Sequence, residues 1–223
     1  MFARLVVASF AVLLLAGCAT LPNPFGGPAE ASQPASTSVP PPVASAPSPQ
    51  VTGAATSSDP RVASLLAAGD VPLKHAAIAG YMDQEEADLR AQLGSSGASV
   101  TRAGDQLIVT LPGFLTFEDG KSAVKPQFAP TLAKIGGLVK KYDKTVVDVY
   151  GYSDNSGTEQ QGRDISQRRA VSVATALANQ GVDQRRFYIE GRGSANPVAS
   201  DANEVGRAKN RRVEIQISPL SAG

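Results

Sequence analysis

The sequence predicts an α/β fold, a mixed sheet with helices packed on it, preceded by a disordered linker. Three observations carry this. From Ala98 onward, short β-branched and apolar runs alternate with segments of helical spacing, the pattern of strands and helices sharing one core. Ten of the 16 prolines fall between Pro22 and Pro60, a stretch whose only charged residues are Glu30 and Asp59. The first 17 residues are apolar behind a single Arg4. The chain of 223 residues is therefore a composite whose parts have separate physical characters.

Residues 1–17 have the layout of a secretory signal: Arg4, then an apolar run from Leu5 to Leu15 that falls short of the roughly 20 residues a bilayer span needs. The run ends in Leu15-Ala16-Gly17-Cys18, which resembles the bacterial lipobox, and Cys18 is the only cysteine in the chain. Acylation would remove a free thiol that is a liability in an oxidising envelope, and more than one acyl chain anchors stably. Ala19, by resemblance to sorted lipoproteins, favours the outer membrane. Residues 18–60 form the lipidated, Pro/Ala/Ser-rich linker. With so few large apolar residues it cannot offset its chain entropy by burial. Extended as polyproline it reaches on the order of 130 Å.

Residues 61–97 are expected to be helical. Asp59-Pro60 starts a short helix that Gly69 stops, and a second runs from about Leu73 to Leu93 with Ile78, Met82, Leu89 and Leu93 inward. Asp83, Glu85, Glu86 and Asp88 read as a solvated acidic face, and His75, without a second His or Cys beside it, reads as a solvated or packed residue. Residues 98–223 are the folded domain. A hairpin covers 98–111 with a turn at Ala103-Gly104-Asp105. Phe117 lies in an extended piece, and a helix runs from about Val124 to Tyr142 with Phe128, Leu132, Ile135, Leu138 and Val139 inward. Residues 145–152 read as a central strand, 160–179 as a long helix stopped by Gly181, and 186–191 and 211–217 as two further strands.

Composition excludes several function classes. Lys+Arg is 21 against Asp+Glu at 20, a net charge of +1, which lacks the electrostatic footprint of a nucleic-acid binder. One Cys and one His rule out a structural zinc site or a disulfide framework within one chain, and leave a catalytic triad almost no candidates. No cofactor or metal is expected.

Two features point to binding chemistry. Gly151-Tyr152-Ser153-Asp154-Asn155-Ser156-Gly157 sits where a strand ends and a helix begins, the position at which open α/β sheets hold ligands. Arg169 falls on the apolar stripe Ile165, Val173 and Leu177, while Arg168 shares a polar face with Ser172, Thr175 and Asn179. A permanently charged guanidinium on an apolar face needs a carboxylate or an anionic ligand. A mutual Asp154–Arg169 salt bridge closing the turn is the structural alternative. Arg211 likewise shares parity with Val213, Ile215 and Ile217.

With the strand–turn motif at 151–157, Ser166-Gln167-Arg168-Arg169-Ala170-Val171, Gly191-Arg192-Gly193-Ser194-Ala195-Asn196-Pro197 and Gly206-Arg207-Ala208-Lys209-Asn210-Arg211-Arg212-Val213 occurring in order, residues 104–220 resemble the OmpA-like peptidoglycan-binding domain, found also in the peptidoglycan-associated lipoproteins. Gly80-Tyr81-Met82-Asp83 and Glu86-Ala87-Asp88-Leu89-Arg90 resemble the YiaD-type branch of outer-membrane lipoproteins. The resemblance implies an OmpA C-terminal-like fold in which Asp154 and Arg169 clamp the diaminopimelate of the murein stem peptide. Asp154 would accept from its ammonium and Arg169 would fork onto its carboxylate. Asn210 and Arg211 match a supporting motif at the edge of that site. One departure is Gly162, where the family usually has an Asn, and Ile165 stands for the usual Leu.

The implied protein is a non-catalytic adaptor, lipid-anchored in the outer membrane of a Gram-negative bacterium, with its domain in the periplasm on peptidoglycan. The alternative is a wall-docking subunit of a larger secretion or motility complex, with the 73–93 helix as its surface for envelope protein partners. A murein hydrolase would need two carboxylates across a cleft, about 5–9.5 Å apart. Asp148 and Asp154 are the pair on offer, with nothing in their surroundings to raise either pKa.

Overall fold

The computed structural model describes residues 59–221. The expected signal peptide, the lipidation site Cys18 and the linker up to residue 58 lie outside the described residues. Helix α1 (Pro60–Ala67) starts as expected: Asp59 caps it by accepting from the Arg61 N–H at 2.8 Å, Pro60 opens it, and Gly69 follows at φ +98°. Val62 and Leu65 of α1 pack on Val146 and Leu220, and Arg61 ties the segment to Asp148 at 2.6 Å.

Helix α2 (His75–Leu93) buries Ile78, Met82, Leu89 and Leu93 in the same core as the sheet. His75 is exposed. The acidic face is a correction. Glu85 is fully buried, and neither of its carboxylate oxygens has a hydrogen-bond partner among the described residues. Its position explains this, because it lies three residues after Met82 and four before Leu89, on the apolar stripe itself. Its neighbours do lie on the docking rim: Asp88 accepts from Lys141 and from the Tyr142 hydroxyl, both at 2.7 Å, and Asp83 and Glu86 receive Arg102.

Strands β1 (Ser99–Ala103), β2 (Gln106–Pro112), β3 (Thr145–Tyr152), β4 (Phe187–Gly191) and β5 (Arg212–Pro219) form one sheet in the order β1-β2-β5-β3-β4. Only the β3–β4 pair is parallel. Strand β5 takes the middle, and β3, paired on both sides, is a central strand as expected. The long helix α5 (Glu159–Ala178) makes the crossover that a parallel pair requires. It begins in a capping box in which Thr158 Oγ1 accepts from the Gln161 N–H and Gln161 Oε1 from the Thr158 N–H.

Helix α4 (Ala129–Lys141) buries Leu132, Ile135, Leu138 and Val139, and α5 buries Ala170, Val173, Ala174 and Leu177. Both meet Leu107, Val109, Leu111, Val147, Val149, Val213, Ile215 and Ile217 on one sheet face. Helix α4 starts later than the expected Val124, because Val124 bridges back to Phe117 and the chain turns before Phe128. Two short helices escape the sequence reading, α3 (Gly113–Thr116) and α6 (Glu204–Asn210). Each is too short to display a period.

Candidate functional site

The site lies where β3 and β4 end against the first half of α5. That close approach is built from glycine. A Cβ on Gly151 would stand 2.0 Å from the Ser166 carbonyl oxygen, and one on Gly191 would stand 2.3 Å from the Gln167 nitrogen. The helix therefore sits directly on the strand ends. The Gly193 N–H donates to Ser166 Oγ at 3.0 Å, and the Ser153 N–H donates to the Gly193 carbonyl at 2.8 Å. These bonds fix the turn that carries Asp154.

Asp154 is only 9% exposed. Its Oδ1 accepts from the Ser156 hydroxyl at 2.7 Å and from the Ser156 N–H at 3.3 Å, and its Oδ2 accepts from Arg211 Nη1. Burial alone would raise its pKa, but the hydrogen bonds from Ser156 and Arg211 outweigh that and hold the carboxyl below its ordinary value. It is ionised at neutral pH.

Arg169 is 6% exposed on the apolar stripe of α5, as its spacing predicts. It does not pair with Asp154, so the expected alternative of a mutual salt bridge is corrected: Arg211 takes that partner. Arg169 Nε donates to the Lys121 carbonyl at 2.9 Å, and its guanidinium lies 5.1 Å from the centre of the Phe117 ring. Neither Nη nitrogen has an acceptor among the described residues. Burial, then the neighbouring Arg211 charge, lowers its pKa, while Asp154 and Asp119 pull it back up from beyond contact. Guanidinium is so weak an acid that it remains charged.

Arg211 stands just before β5 rather than on it, closing α6 at ψ 90°, which corrects the parity argument for it. Besides Asp154 it binds Glu204, and its carbonyl accepts from the Gly113 N–H at 2.8 Å. Desolvation opposes its charge, and the two carboxylates more than compensate. Asn210 is buried, and its amide is fully used. Oδ1 accepts from the Val198 and Ala199 N–H groups, and Nδ2 donates to the Ala199 carbonyl and Asp201 Oδ1. It braces the 198–201 loop behind Arg211. Asp148, the other carboxylate considered for hydrolysis, is held on β3 by Arg61 and accepts from the Tyr150 hydroxyl.

Phe117 and Lys121 are the residues that sequence reasoning did not assign to the site. Nothing in spacing connects a loop at 117–121 to a helix at 169. The signal available was a large aromatic in a short loop, here 1% exposed.

The family model described as "OmpA family" matches residues 116–211. The chain is 46% identical over 140 residues to "Probable lipoprotein YiaD" of Escherichia coli K12, a match covering 63% of this chain and 64% of that protein. It is 40% identical over 101 residues to "Outer membrane protein A" of Bordetella avium, covering 45% and 52% of the two chains. The alignments thus span less than two thirds of either relative. Among solved structures, the cell wall anchor of the T6SS from Pseudomonas aeruginosa superimposes with a TM-score of 0.53 at 36% identity, over 59% of this chain and 96% of that one. The matched segment 116–211 contains the whole of the Asp154–Arg169–Arg211 constellation. Among the described residues no group of three or more His, Cys, Asp or Glu side chains is arranged to hold a metal ion, and no helix is long and apolar enough to cross a membrane.

Proposed function

We propose that this protein tethers the outer membrane to the cell wall, binding peptidoglycan noncovalently through the diaminopimelate of the stem peptide, with a lipid on Cys18 as its other end. The observation that carries the reading is Arg169, a buried permanent cation whose Nη edge has no acceptor among the described residues, set beside an ionised Asp154. A carbon bearing both an ammonium and a carboxylate supplies what each lacks: an anion for the guanidinium and a further donor for the carboxylate. Asn210 and Arg211 act from behind, the first by bracing the loop and the second by holding Asp154. Within the clamp Asp154 serves as an acceptor, since an ionised carboxylate has no proton to give a leaving group.

Sedimentation with purified sacculi tests the clamp. Wild-type protein is expected in the pellet, and folded Asp154→Ala or Arg169→Ala protein in the supernatant; folded variants that still pellet would contradict it. The anchor has its own test. Cys18→Ser should leave an unprocessed precursor that takes up no labelled lipid.

A second reading, a wall-docking subunit of a larger envelope complex, draws on the likeness to the T6SS cell wall anchor. Under it the clamp is unchanged and α2 offers the surface for partners. Crosslinking in cells followed by copurification separates the two, since a simple tether yields no stoichiometric protein partner.

A further inference from the structure

The middle of the sheet face turned away from α4 and α5 is sealed from water, although no described helix packs on it. Helices α2, α4 and α5 all lie on the other face. On this one, α1 rests Val62 and Leu65 on Val146 and Leu220, and Arg61 reaches Asp148 at 2.6 Å. At the far end the Asn196 carbonyl accepts from Arg212 at 3.1 Å. Between these two supports runs a strip made of Gln106 and Ile108 of β2 and Gln216 of β5, with Ile108 opposite Gln216 in the register. Gln216 is 1%, Ile108 2% and Gln106 3% exposed, whereas Thr101 and Tyr188 on the two edge strands are exposed. Neighbours within a sheet crowd a side chain from the sides and do not cover it from above, and an open antiparallel face is ordinarily solvated.

The chemistry of the strip says what kind of cover fits. Gln106 Nε2 donates to Ser218 Oγ at 2.8 Å and Gln216 Nε2 to Glu214 Oε2 at 3.2 Å. The two amide oxygens, Gln106 Oε1 and Gln216 Oε1, are buried and have no donor among the described residues. Buried acceptors of this kind call for N–H groups. The two glutamines stand diagonally across the β2–β5 pair, about 7–8 Å apart. An extended chain presents its N–H groups on one side every ~6.6 Å.

Beside the strip lies a cavity of about 340 Å³ with Thr101, Ile108, Pro112, Phe114, Val198 and Ala208 among its walls. Its lining is mainly apolar. The charges of Arg212 and Glu214, which also line it, are spent on each other at 2.8 Å. The cover that fits is therefore an uncharged extended backbone carrying a small apolar side chain for the cavity.

We propose that this face is the docking surface for residues 50–58 of the chain itself, with Val51 seated in the cavity and backbone N–H groups meeting Gln106 and Gln216. The segment Gln50-Val51-Thr52-Gly53-Ala54-Ala55-Thr56-Ser57-Ser58 follows Pro49 and contains no proline, so every residue keeps its N–H, and it carries no charge. It joins the domain at Asp59, which Arg61 holds beside Asp148 on this same face. From β3 to β1 is three strand spacings, about 14 Å. The eight residues from Val51 to Ser58 span up to roughly 26 Å, so the reach suffices. A segment covalently held at the edge of the face also outcompetes a free peptide through its effective concentration. With Cys18 as the anchored end, docking takes about 28 Å off the reach of the tether, at ~3.1 Å for each of its residues.

The test is amide hydrogen exchange, read by mass spectrometry on the full chain in detergent micelles. The amides of residues 50–58 should exchange at least about tenfold more slowly than a free chain of that sequence, as docked amides do. Val51→Asp, which sets a charge against the apolar cavity from outside the folded domain, should return them to the free rate and leave the exchange of β3 unchanged. Exchange of 50–58 at the free rate in the wild-type chain would overturn the proposal. Protection that rises with protein concentration would assign the face to a second copy and overturn it as well. Protection that survives Val51→Asp would overturn the seating of Val51.

Discussion

Arg169 and Glu85 are both ionisable side chains on the inward stripe of a helix, and neither has an ion-pair partner among the described residues, yet the two regions resolve the problem differently. Glu85 sits under α2 with both oxygens sealed from water and unbonded, and Arg186 acts on it only at a distance. Burial pushes its pKa up to about 8, so at neutral pH it escapes the cost of a buried charge by keeping its proton. Arg169 has no such exit, because a guanidinium does not deprotonate in a protein. The fold instead props it on Phe117 and the Lys121 carbonyl and leaves its Nη edge unmet. An unpaired buried charge is thus a poor sign of a binding site when the group can neutralise itself, and a good one when it cannot.

Swapping the roles of the two regions is the strongest way to break this comparison. Arg169→Ala should cost at least tenfold in sacculus binding and change unfolding free energy by less than about 1 kcal/mol, since a single hydrogen bond and a ring contact are lost. Glu85→Gln should do the reverse, leaving binding intact and stabilising the protein by roughly 1–3 kcal/mol at pH 8, where the wild-type carboxyl is half ionised without a partner. Denaturant melts and pull-downs on the same preparations read both.

A pH series sharpens the contrast. The folded state holds the Glu85 proton that the unfolded chain releases near its ordinary value of 4.5. Wild-type stability should therefore fall as pH rises from about 4.5 towards 8 and level off above. Glu85→Gln should lack that fall, and a variant that kept it would assign the slope to another group. The smallest effect belongs to the rim of α2. Arg102→Gln breaks pairs with the exposed Asp83 and with Glu86, and should cost no more than about 0.5 kcal/mol in the same melts.

How much of this was legible in the sequence depended on which force decided each residue. Strand β3 and helices α1, α2 and α5 followed from caps, stops and apolar spacing within one or two residues, because local chemistry fixes their ends. Arg169 was legible as an anomaly on a stripe, and Asp154 as a carboxylate at a strand end. Glu85 was in the same kind of register and was overlooked, because its acidic neighbours suggested a solvated face. Who pairs with whom was not legible at all. Arg211 reaches Asp154 across 57 positions, by way of the short helix α6 that no periodicity announces. The Phe117–Lys121 prop under Arg169 depends on a loop whose path only the folded core determines.

Calorimetry of two muropeptides at matched salt tests the central claim most directly: one carries meso-diaminopimelate, the other lysine at the same position. Lysine supplies the ammonium for Asp154 and leaves Arg169 without its anion. A charge-assisted hydrogen bond is worth about 1.5–3 kcal/mol, so the account predicts at least a roughly tenfold preference for the diaminopimelate form. The preference should disappear in Arg169→Ala. Equal affinity of the wild-type protein for the two would mean that Arg169 reads no carboxylate, and would contradict the clamp.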